Sequence, residues 1–225
     1  IMGADCSGVT GAIASNVAVP NGVVMISPSA TSPGLTALDD KGFFFRTAPS
    51  DARGGQILAD ITKDRKIKSV AITYTNNDYG KGLADVYEAA VKAHGIKVTT
   101  VSAHEDGKAD YSSEVATLAS AGGDAVAVIG YLDQGGKGII QGSLDSGAFD
   151  KFILSDGMIG DSLTEAFGKD LNKSFGSIPG SMNKKTAGTF ASVAKAAGID
   201  SSGPYTGESY DAAALIVLAM QAGGS

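Results

Sequence analysis

The sequence predicts an α/β fold: parallel sheets covered by helices, divided into two lobes. Three observations predict it. Short apolar and β-branched runs alternate with segments of helical periodicity along the whole chain. The runs at 22–26 and 125–129 are apolar throughout, as buried parallel strands are, and lack the alternation of a sheet with one wet face. Two short, extended, proline-bearing stretches, Arg46-Thr47-Ala48-Pro49-Ser50 and Ser177-Ile178-Pro179-Gly180-Ser181, read as hinge crossings rather than flexible linkers.

Each element follows in order. Residues 9–19 form a short apolar helix, 23–26 a strand and 43–46 an extended segment. Residues 51–66 read as a helix with Ser50 as its N-cap, and 69–74 as a strand rich in β-branched residues. In 79–94, Leu83, Val86, Tyr87, Ala90 and Val91 recur at helical spacing, and Gly95 suits the helix end. A strand at 97–103 and a helix at 111–121, stopped by Gly122-Gly123, lead to the buried strand 125–129. A glycine-loosened helix at 134–146, a strand at 152–154, a short helix at 162–167 and an extended piece at 173–178 come next. Helices at 184–197 and 209–222 close the chain. The crossings assign 49–180 to one lobe, and 1–48 with 181–225 to a second that is short of strands.

Both ends look abrupt. Ile1-Met2-Gly3 reads as the tail of a strand, and the last helix runs almost to Ser225, so the sequence is expected to be an internal portion of a longer protein. The incomplete lobe is expected to expose apolar surface around 23–26 and 215–218 and to invite dimerisation.

Composition narrows the chemistry. Hydrophobic residues make up 43% of the 225 residues and charged ones 19%, enough apolar material for a real core. The net charge of −6, with no basic stripe, argues against nucleic acid and anionic membranes as partners. No apolar run approaches the roughly 20 residues a membrane-spanning helix needs. One cysteine (Cys6) and two histidines (His94, His104) cannot assemble a zinc cluster of typical ligands, and no cofactor is expected. No serine sits in a nucleophile elbow, and no paired carboxylates or nucleophile–base spacing supports an enzyme. Gly135-Gly136-Lys137-Gly138 lacks the spacing of a phosphate-binding loop. What remains is the junction where the apolar strand at 22–26 runs into Ser27-Pro28-Ser29-Ala30-Thr31-Ser32-Pro33. Open α/β sheets bind ligands at the carboxyl ends of their strands, and small residues rich in hydroxyl and N–H groups there suit a carboxylate. An ordinary Ser/Pro turn has the same composition.

The ordered motifs resemble those of a known family. Gly3-Ala4-Asp5-Cys6-Ser7, Met25 through Pro33, Phe45-Arg46-Thr47, Asp78-Tyr79-Gly80-Lys81-Gly82, Gly130-Tyr131 and Ser209-Tyr210-Asp211-Ala212-Ala213 are similar to pieces of the periplasmic branched-chain amino acid binding proteins of ABC transporters, in the family's order. The resemblance covers essentially the whole chain. It implies the two-lobed type I periplasmic-binding-protein fold, truncated here at both ends. It further implies non-catalytic capture of an amino acid by lobe closure, a membrane permease as partner, and a periplasmic location with a signal peptide in the missing N-terminal part.

It also implies site residues. Ser7, and Thr31 through hydroxyl and N–H, would take the ligand carboxylate, beside Ala30. The Ser29 carbonyl would take an ammonium proton, at a position where the family often has alanine. Asp156, where the family often carries glutamate, would pair with the ammonium. Tyr79 and Tyr131 would close over the ligand, with Met158 lining the side-chain pocket, Tyr210 at the start of a first-lobe helix, and Glu208 or Tyr205 approaching the rim. Each has a plainer role open to it: an N-cap for Ser7, a turn for Asp156, the core for Tyr79, an exposed loop for Met158. The ligand is open too, between a branched-chain amino acid and an aromatic acid, an amide or a γ-amino acid. The same fold also serves as a ligand sensor in signalling or regulatory proteins.

Overall fold

The computed structural model describes residues 1–180 and 184–224. The chain divides into two compact units, Ile1–Ser50 with Pro179–Ser225, and Asp51–Ile178. Ser181 of the expected second crossing lies outside the described residues.

In the first unit, helix α1 (Ser7–Ile13) continues as a π-helical turn over Ala14–Ala18. Helix α1 begins two residues earlier than the apolar pattern predicts, with Cys6 at the N-cap position. Strands β1 (Met25–Ser27) and β2 (Phe44–Arg46) pair in parallel, Met25 opposite Phe44 and Ser27 opposite Arg46. Met2 bridges Ile26 in parallel on the other side of β1, as the strand-tail reading of the first residues expects. A small core of Ala14, Ala18, Met25, Ala30, Leu35 and Phe44 holds these pieces together.

The second unit contains helix α2 (Asp51–Asp64), strand β3 (Ser69–Thr75), helix α3 (Asp78–Ala93), strand β4 (Lys97–His104) and helix α4 (Ser112–Ala121). Strand β5 (Ala125–Ile129), helix α5 (Gly136–Ser146), strand β6 (Phe152–Leu154), helix α6 (Asp161–Phe167) and strand β7 (Phe175–Gly176) complete it. Its five strands form one sheet in the order β4-β3-β5-β6-β7, every pair parallel. One core cluster joins Leu58 of α2, Tyr87 of α3 and Ile72 of β3 on one face. A second joins Val128 of β5, Ile140 of α5 and Phe167 of α6 on the other. The fully buried β5 explains its unbroken apolar run.

Two expectations change. The helix expected over 134–146 divides into a 3-10 turn (Leu132–Gln134) and α5, with Gly135 between them. The extended piece at 173–178 contracts to two residues of strand, because the three-residue β6 offers partners only at Ile153 and Leu154.

Helices α7 (Lys184–Ala196) and α8 (Thr206–Gly223) return the chain to the first unit, where Thr47 Oγ1 donates to the Glu208 carbonyl at 2.8 Å. Leu215, Val217, Leu218 and Met220 of α8 are exposed, as expected of 215–218. Around 23–26 the expectation holds for Val23 and Val24 only: Met25 and Ile26 are buried. No helix among the described residues is long and apolar enough to cross a membrane.

Candidate functional site

The parallel sheet of the second unit places three of the expected residues at one edge. Strands β3, β5 and β6 are neighbours and run the same way, so the segments that follow them emerge side by side. Tyr79 opens α3 after β3, Tyr131 follows β5, and Asp156 begins a short 3-10 turn (Asp156–Met158) after β6. Asn77 caps α3 by accepting from the N–H groups of Tyr79 at 3.1 Å and Gly80 at 3.0 Å. Gly80 is required there, because a Cβ would lie 2.2 Å from the Thr75 carbonyl oxygen.

Tyr79 is buried in the core, yet its hydroxyl reaches the edge, 2.6 Å from Asp156 Oδ1 and 3.0 Å from Ser155 Oγ. The core reading of Tyr79 holds for its ring, while its hydroxyl stands at the strand-end edge. Burial, then the Asp156 charge and hydrogen bond, push the Tyr79 phenol well above its ordinary range, so it stays protonated and donates. The Tyr131 ring stacks on that of Tyr79, centroids 5.1 Å apart. The Gly157 N–H donates to the Tyr79 hydroxyl at 3.3 Å, and a Cβ on Gly157 would stand 2.5 Å from the Gly130 carbonyl. The result is a carboxylate hydrogen-bonded to the hydroxyl of a tyrosine whose ring stacks on a second tyrosine.

Met158 requires a correction. It is neither a pocket lining nor an exposed loop residue but fully buried in the core. Its Sδ and Cε fill the space that a Cβ on Gly136 would need, at 2.3 Å. The glycines at 135–138 thus serve close packing against Met158 and Tyr111, and Lys137 pairs with Asp133 at 2.6 Å.

In the first unit, the loop after β1 is held from three sides. Ser27 Oγ donates to the Ala4 carbonyl at 2.8 Å and accepts from the Ala30 N–H at 3.0 Å. Ser7 is no N-cap: it lies inside α1, buried, and its Oγ accepts from the Ser32 N–H at 3.1 Å. Arg46 reaches across from β2 and donates to the carbonyls of Ala30 at 3.2 Å and Ser32 at 2.9 Å, and to Thr36 Oγ1 at 2.6 Å. Within this frame Thr31 is 2% exposed, and neither its hydroxyl nor its N–H finds a hydrogen-bond partner among the described residues. An unmatched donor pair on a braced loop is what an incoming carboxylate requires. The Ser29 hydroxyl donates to Asp5 Oδ1 at 2.5 Å. Tyr210 stands apart from these contacts: it is 52% exposed, its ring lying against Phe190 of α7 at 5.5 Å.

Ser27, Arg46 and Ser155 were not singled out as site-building residues from the sequence. Arg46 sits in a quoted motif and Ser155 directly precedes Asp156, but their partners are distant in the chain.

Residues 1–222 match the family described as "Receptor family ligand binding region". The chain belongs to this receptor ligand-binding family. Its relatives carry binding-protein names. Leu/Ile/Val-binding protein homolog 3 of Brucella melitensis is 38% identical over 144 residues, covering 60% of this chain and 39% of that protein. Leu/Ile/Val-binding protein homolog 1 of the same organism is 31% identical and covers 100% of this chain and 60% of that protein. The solved leucine-binding protein LivK from Thermotoga maritima superposes with a TM-score of 0.81 at 23% identity, covering 99% of this chain and 64% of its own. A solute-binding protein of an ABC transporter from R. palustris, in complex with 4-hydroxybenzoate, gives 0.83 at 16% identity, covering 100% of this chain and 62% of its own. The fold is therefore that of the type I periplasmic binding proteins. The chain spans 39% and 60% of the length of these two curated relatives.

Proposed function

We propose that this receptor-family chain belongs to an extracytoplasmic solute-binding receptor that captures an amino acid, branched-chain or related, for uptake through an ABC-transporter permease. Capture is non-catalytic, in keeping with relatives named as binding proteins. On this reading Thr31, with Ala30 on the same braced loop and Ser7 of α1 beside it, takes the ligand carboxylate, and the Ser29 carbonyl takes one ammonium proton. Asp156 takes the ammonium charge beside Tyr131, and Tyr79 holds Asp156 in place. Capture by lobe closure, with hinges in the segments 46–50 and 177–180, is the mode that the family reading implies. Closure excludes water and strengthens the ion pair and hydrogen bonds.

The observation that carries the reading is the Tyr79–Asp156 pair at 2.6 Å beside the stacked Tyr131 ring. A carboxylate fixed by a tyrosine hydroxyl suits an ammonium through charge and hydrogen bonding. The test is a thermal-shift screen of the full-length protein against amino acids and small carboxylates, with Asp156→Asn alongside. A tight ligand raises the melting temperature by mass action. An α-amino acid that shifts the wild type and not Asp156→Asn supports the reading. Stabilisation of both proteins only by acids without an amine, the class to which 4-hydroxybenzoate belongs, overturns the role of Asp156 and leaves a receptor for another carboxylate.

A further inference from the structure

We propose that Ser155 is a positioning residue that fixes the Tyr79 hydroxyl against Asp156 and thereby sets the selectivity of the site for an amine; the selectivity half rests on the amine-binding reading above. Ser155 is 1% exposed and follows β6 directly. Its Oγ accepts from the Gly130 N–H, after β5, at 3.2 Å and lies 3.0 Å from the hydroxyl of Tyr79, after β3. One small side chain thus links the ends of three neighbouring strands.

Proton counting orients the network. The phenol has one proton and two candidate acceptors, the Asp156 carboxylate at 2.6 Å and the Ser155 hydroxyl at 3.0 Å. The charged, nearer acceptor takes it. The serine proton is then the one that turns toward the phenol oxygen. The chain runs in one sense, from the Gly130 N–H to Ser155, from Ser155 to Tyr79, and from Tyr79 to Asp156. Each donation polarises the next group, so the last bond is tightened by the first two. Without Ser155 the phenol oxygen keeps, among the described residues, only the Gly157 N–H as a donor, at 3.3 Å, and the Gly130 N–H loses its Ser155 acceptor. The carboxylate is then less firmly aimed, which matters for a ligand with an ammonium and not for one without.

The experiment compares calorimetric affinities of the full-length protein for leucine and for 4-methylpentanoate, the same carbon skeleton without the amine. Wild type, Ser155→Ala and Asp156→Asn are titrated. In parallel, proton NMR of the ligand-free protein follows the Tyr79 phenolic proton, identified by its loss in Tyr79→Phe. Ser155→Ala is expected to weaken leucine by about tenfold, to leave 4-methylpentanoate nearly unchanged, and to move the phenolic proton upfield. Ser155→Cys, with a weaker donor of similar size, is expected to do the same in smaller measure. Equal losses for both ligands, or a phenolic proton that does not move, overturn the proposal. A wild type without preference for leucine overturns the amine-binding reading and the selectivity drawn from it, and the proton shift alone then decides whether Ser155 positions Tyr79.

Discussion

Arg46 donates to the Ala30 carbonyl across 3.2 Å, so the end of one strand fixes the loop that follows its neighbour. The same guanidinium also holds the Ser32 carbonyl and Thr36 Oγ1. A planar fork reaches several acceptors at once, whereas an ammonium is a point charge on a flexible stem. Arg46→Lys is therefore expected to cost about 1–3 kcal/mol of stability and to speed amide exchange over residues 29–36 in hydrogen-exchange mass spectrometry. Exchange like that of wild type would show that the loop does not depend on Arg46.

Thr31 has the opposite profile. Its hydroxyl is unmatched among the described residues, so the isosteric Thr31→Val removes no hydrogen bond from the fold. Urea unfolding is expected to place its stability within about 0.5 kcal/mol of wild type. Ligand affinity by calorimetry is expected to fall about tenfold or more, since a bond to a charged carboxylate is lost. Unchanged affinity would remove Thr31 from the site.

Gly80→Ala tests the close approach of α3 to β3. The added Cβ would meet the Thr75 carbonyl oxygen at 2.2 Å and the Thr75 nitrogen at 3.0 Å, both backbone atoms that cannot swing aside. A loss of about 2–4 kcal/mol is expected in urea unfolding. A neutral result would mean that the N-terminal turn of α3 re-forms without cost.

His104 makes stability depend on pH. It is 2% exposed, its Nδ1 lies 2.9 Å from Thr73 Oγ1, and its Nε2 has no partner among the described residues. Burial lowers its pKa, against the opposing pull of the Asp106, Glu114 and Glu105 carboxylates. Edge-on contact with Tyr111, whose ring lies near Lys108, completes its surroundings. With the folded value below the unfolded one, the unfolded chain binds the extra proton first. The contribution is complete above about pH 6.5 and is lost as pH falls through the folded value. Urea midpoints measured at falling pH are expected to decline more steeply in wild type than in His104→Asn. Parallel pH profiles would assign the acid sensitivity elsewhere.

Much of this arrangement is legible in the sequence, for particular reasons. Strand β5 is apolar at every position because both faces are covered, and α3 shows its buried stripe at Leu83, Tyr87 and Val91. The family resemblance pointed to Tyr79, Tyr131 and Asp156, and each does follow the end of a strand of the parallel sheet. Met158 was misplaced because a methionine after a strand end carries no sign of which way it turns, and Gly136 is what makes room for it. The early start of α1 was missed because Ser7 looks like a cap, while its hydroxyl serves Ser32, 25 residues away.

By itself the sequence determined the alternation of strands and helices, the parallel sheet and the family, because periodicity and strand-end motifs are local properties of the chain. Only the tertiary structure decided that Arg46 and Ser7 brace the loop around Thr31, and that Ser155 and Tyr79 join Asp156. Those hydrogen bonds link residues 14 to 77 positions apart, and no local pattern encodes a partner that only the fold brings within hydrogen-bonding distance.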